Sequence, residues 1–338
     1  MSDKMKKSDW LLLLFSAVPI VLLFIMPLFS AGELIFTTPE YSESGQAIYT
    51  DGIYDYYYDT QSNRYLEVDD NGEFTGNELK PFEIKSQTDI YKEKKTFGFK
   101  NLKKFFTEKK YYITIYNTLK LVLPATIVQF FLAFSMAYFL KGKIKGKFLY
   151  HALIIFPLTL GSLIIAGGMT NFFRAGGWFN MILMNLGIID EPLKILYTYW
   201  GTFISVVIGG TPFLFSGFLP ICESIDPNLE IAAKTLGANG FKTFMKVFLP
   251  LAMPALLSIV SLNMVLNMAT YPSAVLVGDP AGTTRVLAVA AFEEFRVTMD
   301  YNMAATVSLV LVMLQVAIIG IIGAIRKKFY IGFGGTFK

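Results

Sequence analysis

Cysteine and histidine are nearly absent: Cys222 and His151 are the only examples in 338 residues. One cysteine closes no internal disulfide, and its place near the end of an apolar run reads as a small buried apolar side chain. One histidine offers no metal cluster, and H-E-x-x-H, paired cysteines and a workable Ser/His/Asp set are missing as well. No G-x-x-x-x-G-K-[S/T] occurs, and Gly142-Lys-Ile-Lys-Gly-Lys has the wrong spacing, so nucleotide phosphates are not cradled by that route. Charged residues make up only 17% of the chain, and the middles of its long apolar runs contain no Asp, Glu, Lys, Arg or His. A proton- or sodium-coupled carrier commonly places an ionisable group or a broken-helix ion site there. The chain is thus expected to be no enzyme, to hold no metal and to bind no cofactor itself.

What fills the sequence is apolar: 54% hydrophobic and 15% aromatic residues, with a mean hydropathy of +0.48. These values indicate an all-α integral membrane protein. About 20 residues cross the roughly 30 Å hydrocarbon core, where backbone polar groups must be satisfied internally. Six runs are long enough, at 10–30, 112–140, 148–172, 198–222, 251–277 and 303–325. The first, preceded by Lys4, Lys6 and Lys7, resembles a signal peptide but lacks a clear small-residue cleavage site, so it reads as a retained anchor. Lysine and arginine gather in the N-terminal tail, at Lys141, Lys143, Lys145 and Lys147, in the 223–250 loop and at Arg326-Lys-Lys. The positive-inside rule then places both termini and that loop in the cytoplasm of a multi-pass plasma-membrane protein. The lysine-rich 92–110 falls outside, where long translocated segments obey the rule poorly. A net charge of +4 is weak evidence for nucleic-acid binding, and because the basic residues cluster beside apolar spans they orient the chain in the bilayer, so no nucleic-acid partner is expected.

The organisation that follows is a tail and first span (1–30), an extracellular insert (31–96), a membrane core (97–325) and a cytoplasmic tail (326–338). The insert carries Tyr49, Tyr54, Tyr56, Tyr57 and Tyr58 among many acids, including Asp51, Asp55, Asp59, Asp69 and Asp70. Asn71-Gly72 signals a hairpin turn, so the insert is expected to be β-rich. It reads first as a solvated cap and second as a docking surface for an external binding protein or an acidic lure for a cationic solute.

The polar loop between the fourth and fifth spans is the most informative stretch. Asp226 suits an N-cap and Pro227 the first helical position; Glu230 and Lys234 stand one turn apart. Ala232 and Ala233 leave a surface that a partner can approach closely. Gly237 suits a left-handed helix stop, with Gly240 as a further flexible point. Phe241, Phe244, Met245 and Phe248 then fall at i, i+3, i+4 and i+7. Such a stripe packs either against the protein's own core or into the groove of another protein.

The pattern Ile231-Ala-Ala, three residues, Gly237, nine residues, Val247-Phe-Leu-Pro250 resembles the coupling loop of permease subunits of type I ABC importers. It departs at Ile231, where the family usually has an acid, although Glu230 lies directly before it. Phe97 onward into Tyr116-Asn-Thr-Leu resembles the lead-in to the permease core, and the resemblance covers about 97–325. Ala232-Ala-Lys-Thr-Leu-Gly-Ala, Leu276-Val-Gly-Asp-Pro and Tyr301-Asn-Met-Ala-Ala-Thr look most like the polyamine, phosphonate, thiamine and ferric-ion permeases. The resemblance implies a second permease chain, identical or different, two cytoplasmic ATPases that bind ATP and Mg, and an extracellular solute-binding protein. It also implies that Glu230, Ala232, Ala233, Gly237, Phe241, Phe244, Phe248, Leu249 and Pro250 transmit ATPase motion to the spans.

A solute path needs a polar lining. Asn263, Asn267 and Tyr271 are expected on one helical face, at i, i+4 and i+8. Thr211 joins them from the fourth span, where Gly209-Gly210 and Pro212 permit local unwinding. Interhelical hydrogen bonding explains the same residues without any path. Against the importer reading stand an ion-coupled carrier, which the missing midspan carboxylate disfavours, and a membrane scaffold whose loop binds nothing.

Overall fold

The computed structural model describes residues 26–39, 48–50, 55–59, 64–68, 74–79, 92–93, 95–142 and 144–334, and divides the chain into two compact units. The predicted first span lies mostly outside the described residues.

One unit comprises the described residues up to Thr107 together with Met299–Thr306. Helix α1 (Met26–Phe36) runs past the predicted end of the first span and leads into β1 (Thr37–Pro39). Strand β1 pairs antiparallel with β7 (Lys95–Phe97), Thr38 opposite Thr96. The ring centroids of Phe36 and Phe97 lie 5.8 Å apart beside this pair. Helix α2 (Lys100–Thr107) turns the Asn101 amide onto the carbonyls of Ile35 and Thr37, at 3.2 and 3.0 Å, and buries Phe105 completely. Strands β2 (Ile48–Thr50), β3 (Asp55–Asp59), β4 (Arg64–Val68), β5 (Phe74–Leu79) and β6 (Lys92–Glu93) form an antiparallel sheet in the order β5-β4-β3-β2-β6. Tyrosine and β-branched residues favour such pleated ribbons, so the expected β-rich insert is found. The Asn71-Gly72 turn lies outside the described residues, but the strands on either side of it, β4 and β5, pair as a hairpin requires.

The other unit is helical. Helices α3 (Lys109–Leu140), α4 (Lys147–Phe173), α5 (Trp178–Asn185) and α6 (Tyr199–Ser224) are followed by α7 (Pro227–Thr235) and α8 (Gly240–Thr243). A π-helical turn (Phe244–Phe248) joins α8 to α9 (Leu249–Met268). Then come α10 (Pro272–Leu276), α11 (Leu287–Arg296) and, from Val307 onward, α12 (Tyr301–Gly334), whose first residues belong to the first unit. Five helices among the described residues are long and apolar enough to cross a membrane: α3, α4 with α5, α6, the segment from Gly240 to Met268, and α12.

Packing follows from side-chain size. Along α3, Leu121, Ala125, Gln129, Ala133 and Ala137 recur every four residues and are buried. Small residues at that spacing let two membrane helices approach closely, where dispersion and hydrogen bonds hold them. Leu214, Phe215, Phe218 and Leu219 of α6 and Phe248, Ala252, Leu256 and Val260 complete one apolar core with Ala133, Phe134 and Ala137. Helix α6 stays continuous through Gly209, Gly210 and Pro212, so the local unwinding those residues permit does not occur there. The break falls in α4 instead, where Gly161 adopts φ 73°, ψ 158°, four residues after Pro157. Only glycine occupies that region at ease.

Candidate functional site: coupling segment and central cavity

The loop after α6 folds from its own local signals. The Asp226 carboxylate accepts a 2.9 Å bond from the Asn228 N–H, and Pro227 opens α7. At the other end the Gly237 N–H donates to the Lys234 carbonyl (2.9 Å) and the Ala238 N–H to that of Ala233 (3.0 Å). With Gly237 at φ 83°, this is the Schellman stop that its glycine predicts. Asn239 was not singled out from sequence, yet its Oδ1 caps α8 by accepting from the Lys242 N–H at 2.8 Å. Gly240 takes no positive φ and simply opens α8.

The π-turn then divides the aromatic stripe. In it the Leu249 N–H bonds the Phe244 carbonyl, one residue more per turn than an α-helix, so side chains beyond Phe244 rotate relative to Phe241. Phe248 becomes fully buried and Phe244 half-buried, their centroids 5.0 and 5.2 Å from that of Tyr138 in α3. Phe241 stays 72% exposed. This corrects the expectation that all three rings face a partner: Phe248 belongs to the chain's own core, and Phe244 leans on it. The outward apolar surface consists of Leu229, Ile231, Leu236, Phe241 and Met245, of which Leu236 is 88% exposed. Leu236 was legible only as a loop residue, because its exposure depends on how the Schellman turn points. Ala232 is exposed and Ala233 half-buried, while Leu249 and Pro250 are half-buried at the start of α9. Glu230 does not pair with Lys234, as its spacing suggested, but with Lys141 just beyond α3.

A cavity of about 240 Å³ opens among α4, α6 and α9. Its polar lining includes Ser162, Ser205, Asn263, Asn267, Thr270 and Ser273, and the Gly161 break borders it. Irregular backbone at membrane depth is tolerated where protein or a water-filled cavity surrounds it. Asn263 and Asn267 do share a face, and both amides are committed: each Nδ2 donates to the Gln129 Oε1, at 2.7 and 2.8 Å. The Gln129 Nε2 in turn donates to the Val206 carbonyl at 2.6 Å. The two asparagines therefore serve helix association and border the cavity at once. Tyr271 does not join them, because α9 ends at Met268 and its ring packs 4.2 Å from that of Phe292. Thr211 is buried outside the lining and donates to the Val207 carbonyl at 2.6 Å. Gln129 and Gly161 were missed from sequence: a lone glutamine and one glycine in an apolar run carry no local signal of a network or a break.

The sequence profile described as "Binding-protein-dependent transport system inner membrane component" matches residues 129–329. The chain is similar to the spermidine/putrescine transport system permease protein PotB of Haemophilus influenzae, at 31% identity over 209 residues, covering 61% of this chain and 71% of that one. The protein of the same name from Escherichia coli is 32% identical over 149 residues, covering 44% of this chain and about half, 54%, of that relative. In structure the chain resembles one in a bacterial alginate ABC transporter bound to an alginate pentasaccharide-bound periplasmic protein, with a TM-score of 0.61 and 18% identity over 69% of this chain and 83% of that one. At such identity the likeness speaks for the fold alone. The profile, by contrast, spans more than half of the sequence, and the chain belongs to the binding-protein-dependent transport system inner membrane components, the permease subunits of ABC importers.

Proposed function

We propose that the chain forms half of a solute path and drives it with motion received at residues 223–250. The observation that carries this reading is the two-sided coupling segment. One side is anchored in the core by Phe248, and the other presents Ile231, Leu236 and Phe241 to solvent. An amphipathic segment with spaced apolar anchors suits a groove on a partner, and here the partner is a cytoplasmic ATPase. Both termini lie in the cytoplasm, a second permease chain completes the path, and an external binding protein delivers solute. ATP with Mg binds and is hydrolysed on the ATPases, whose closure biases a two-state rearrangement of the spans.

The solute class we infer is a small polyamine, as the names of the two relatives suggest. The cavity fits a path for such a solute: hydroxyls and amides line it with no fixed charge among the described residues, so a cation is solvated without being trapped. The test is reconstitution with the ATPase and the putrescine-loaded binding protein. ATP-dependent putrescine uptake supports the whole reading. Capture of the ATPase without putrescine uptake removes the solute assignment and keeps the coupling.

A further inference from the structure

Helix α7 buries none of its residues. Among the described residues, its one side-chain hydrogen bond or ion pair to a membrane span joins Glu230 to Lys141. Lys141 directly follows α3 and keeps helical φ/ψ, so its backbone continues the path of that span. Its Nζ meets the Glu230 Oε1 at 2.5 Å and lies over two rings, 3.9 Å from the centroid of Phe248 and 4.2 Å from that of Tyr138. The two side chains are only 21% and 19% exposed. A cation held against ring faces gains a cation–π attraction that a plain surface pair lacks, and removing either partner of a part-buried pair leaves the other charge uncompensated. One ammonium thus ties together α7, the π-turn and the end of α3.

We propose that Lys141 is a positioning residue that latches the coupling segment to α3, so that displacement of α7 moves that span as well as α9. This rests on the coupling role proposed above. Without the latch, α7 pivots at Gly237, whose φ is 83° and around whose Cα a Cβ would meet no atom within 4 Å, so that among the described residues, apart from the Schellman hydrogen bonds, no side chain packs against the bend. The carboxylate of the loop is then an internal tie, and Ile231, 58% exposed where the resemblance leads one to expect an acid, is left as an apolar contact.

The test uses the full complex in membranes with Ser162→Cys as a reporter at the cavity, reading the change in maleimide labelling rate when ATP and vanadate are added. The reporter is independent of solute. Lys141→Met and Glu230→Gln are each expected to cut that response about fivefold or more while the ATPase is still captured. The double variant is expected to be no worse than either single one, because both remove the same contact. Lys141→Arg keeps the charge and the ring stacking and is expected to restore most of the response. A full response in Lys141→Met with normal capture overturns the latch and leaves the coupling reading standing, as does an Arg variant as defective as Met. An ATP response missing from the unaltered background removes the coupling reading and the latch with it.

Discussion

Replacing Gly210 by alanine tests the buried amide network directly. A Cβ at Gly210 overlaps the amide nitrogen of Gln129 and comes within 2.8 Å of its Cδ and 3.1 Å of the Asn267 Oδ1. Gln129 is fully buried and has nowhere to swing, because its amide is pinned to Val206, Asn263 and Asn267. Displacing it breaks those three interhelical hydrogen bonds, at about 0.6 kcal/mol each in membranes, for a total of about 2 kcal/mol. Overpacking adds about 1–3 kcal/mol. The sum, about 3–5 kcal/mol, corresponds to an apparent melting point lower by about 10 °C in detergent, followed by intrinsic fluorescence. Adding Gln129→Ala to Gly210→Ala makes room for the new methyl and removes the steric part, so the double variant melts above Gly210→Ala alone. The reasoning is refuted if Gly210→Ala melts within about 2 °C of the wild type, or if Gln129→Ala brings no relief.

Phe241→Asp is expected to abolish ATPase capture with no change in melting, whereas Phe248→Asp, which buries a carboxylate, is expected to prevent accumulation of the folded chain; a pull-down compared with the expression level separates the two. Equal behaviour of both variants would contradict the division of the stripe. Gly237→Val places a β-branched residue at φ 83° and costs about 1–2 kcal/mol locally; membrane insertion is expected to persist while ATP-driven uptake falls, and normal uptake would count against the bend. Gly161→Ala meets no neighbouring atom but strains φ 73°, ψ 158° by about 1–3 kcal/mol. Transport is expected to drop with capture intact, and unchanged transport would mean that the break in α4 is incidental. Gly201→Ala drives a methyl into the Val277 carbonyl and within 2.8 Å of that of Ile195, both of them backbone that yields less than a side chain; it is expected to destabilise at least as much as Gly210→Ala in the same melting assay.

Features governed by short-range chemistry were legible in the sequence. Apolar runs marked five spans found among the described residues, since a bilayer demands a fixed length of apolar helix. Asp226, Pro227 and Gly237 marked the limits of α7, because caps and left-handed stops depend on one residue and its immediate neighbours. Only the tertiary structure decided which way side chains point and what they meet. A single π-turn moved Phe248 from an expected docking face into the core, and no residue type in 241–248 encodes that extra residue per turn. Tyr271 left the expected asparagine face because α9 stops three residues before it. Glu230 found Lys141, 89 positions away, rather than Lys234 on its own helix, and Gln129 gathered Asn263 and Asn267 from another span. Periodicity and capping are properties of a few consecutive residues. A partner is chosen by which chain segments the packed core brings within a few ångströms, and that is settled only once the helices have docked.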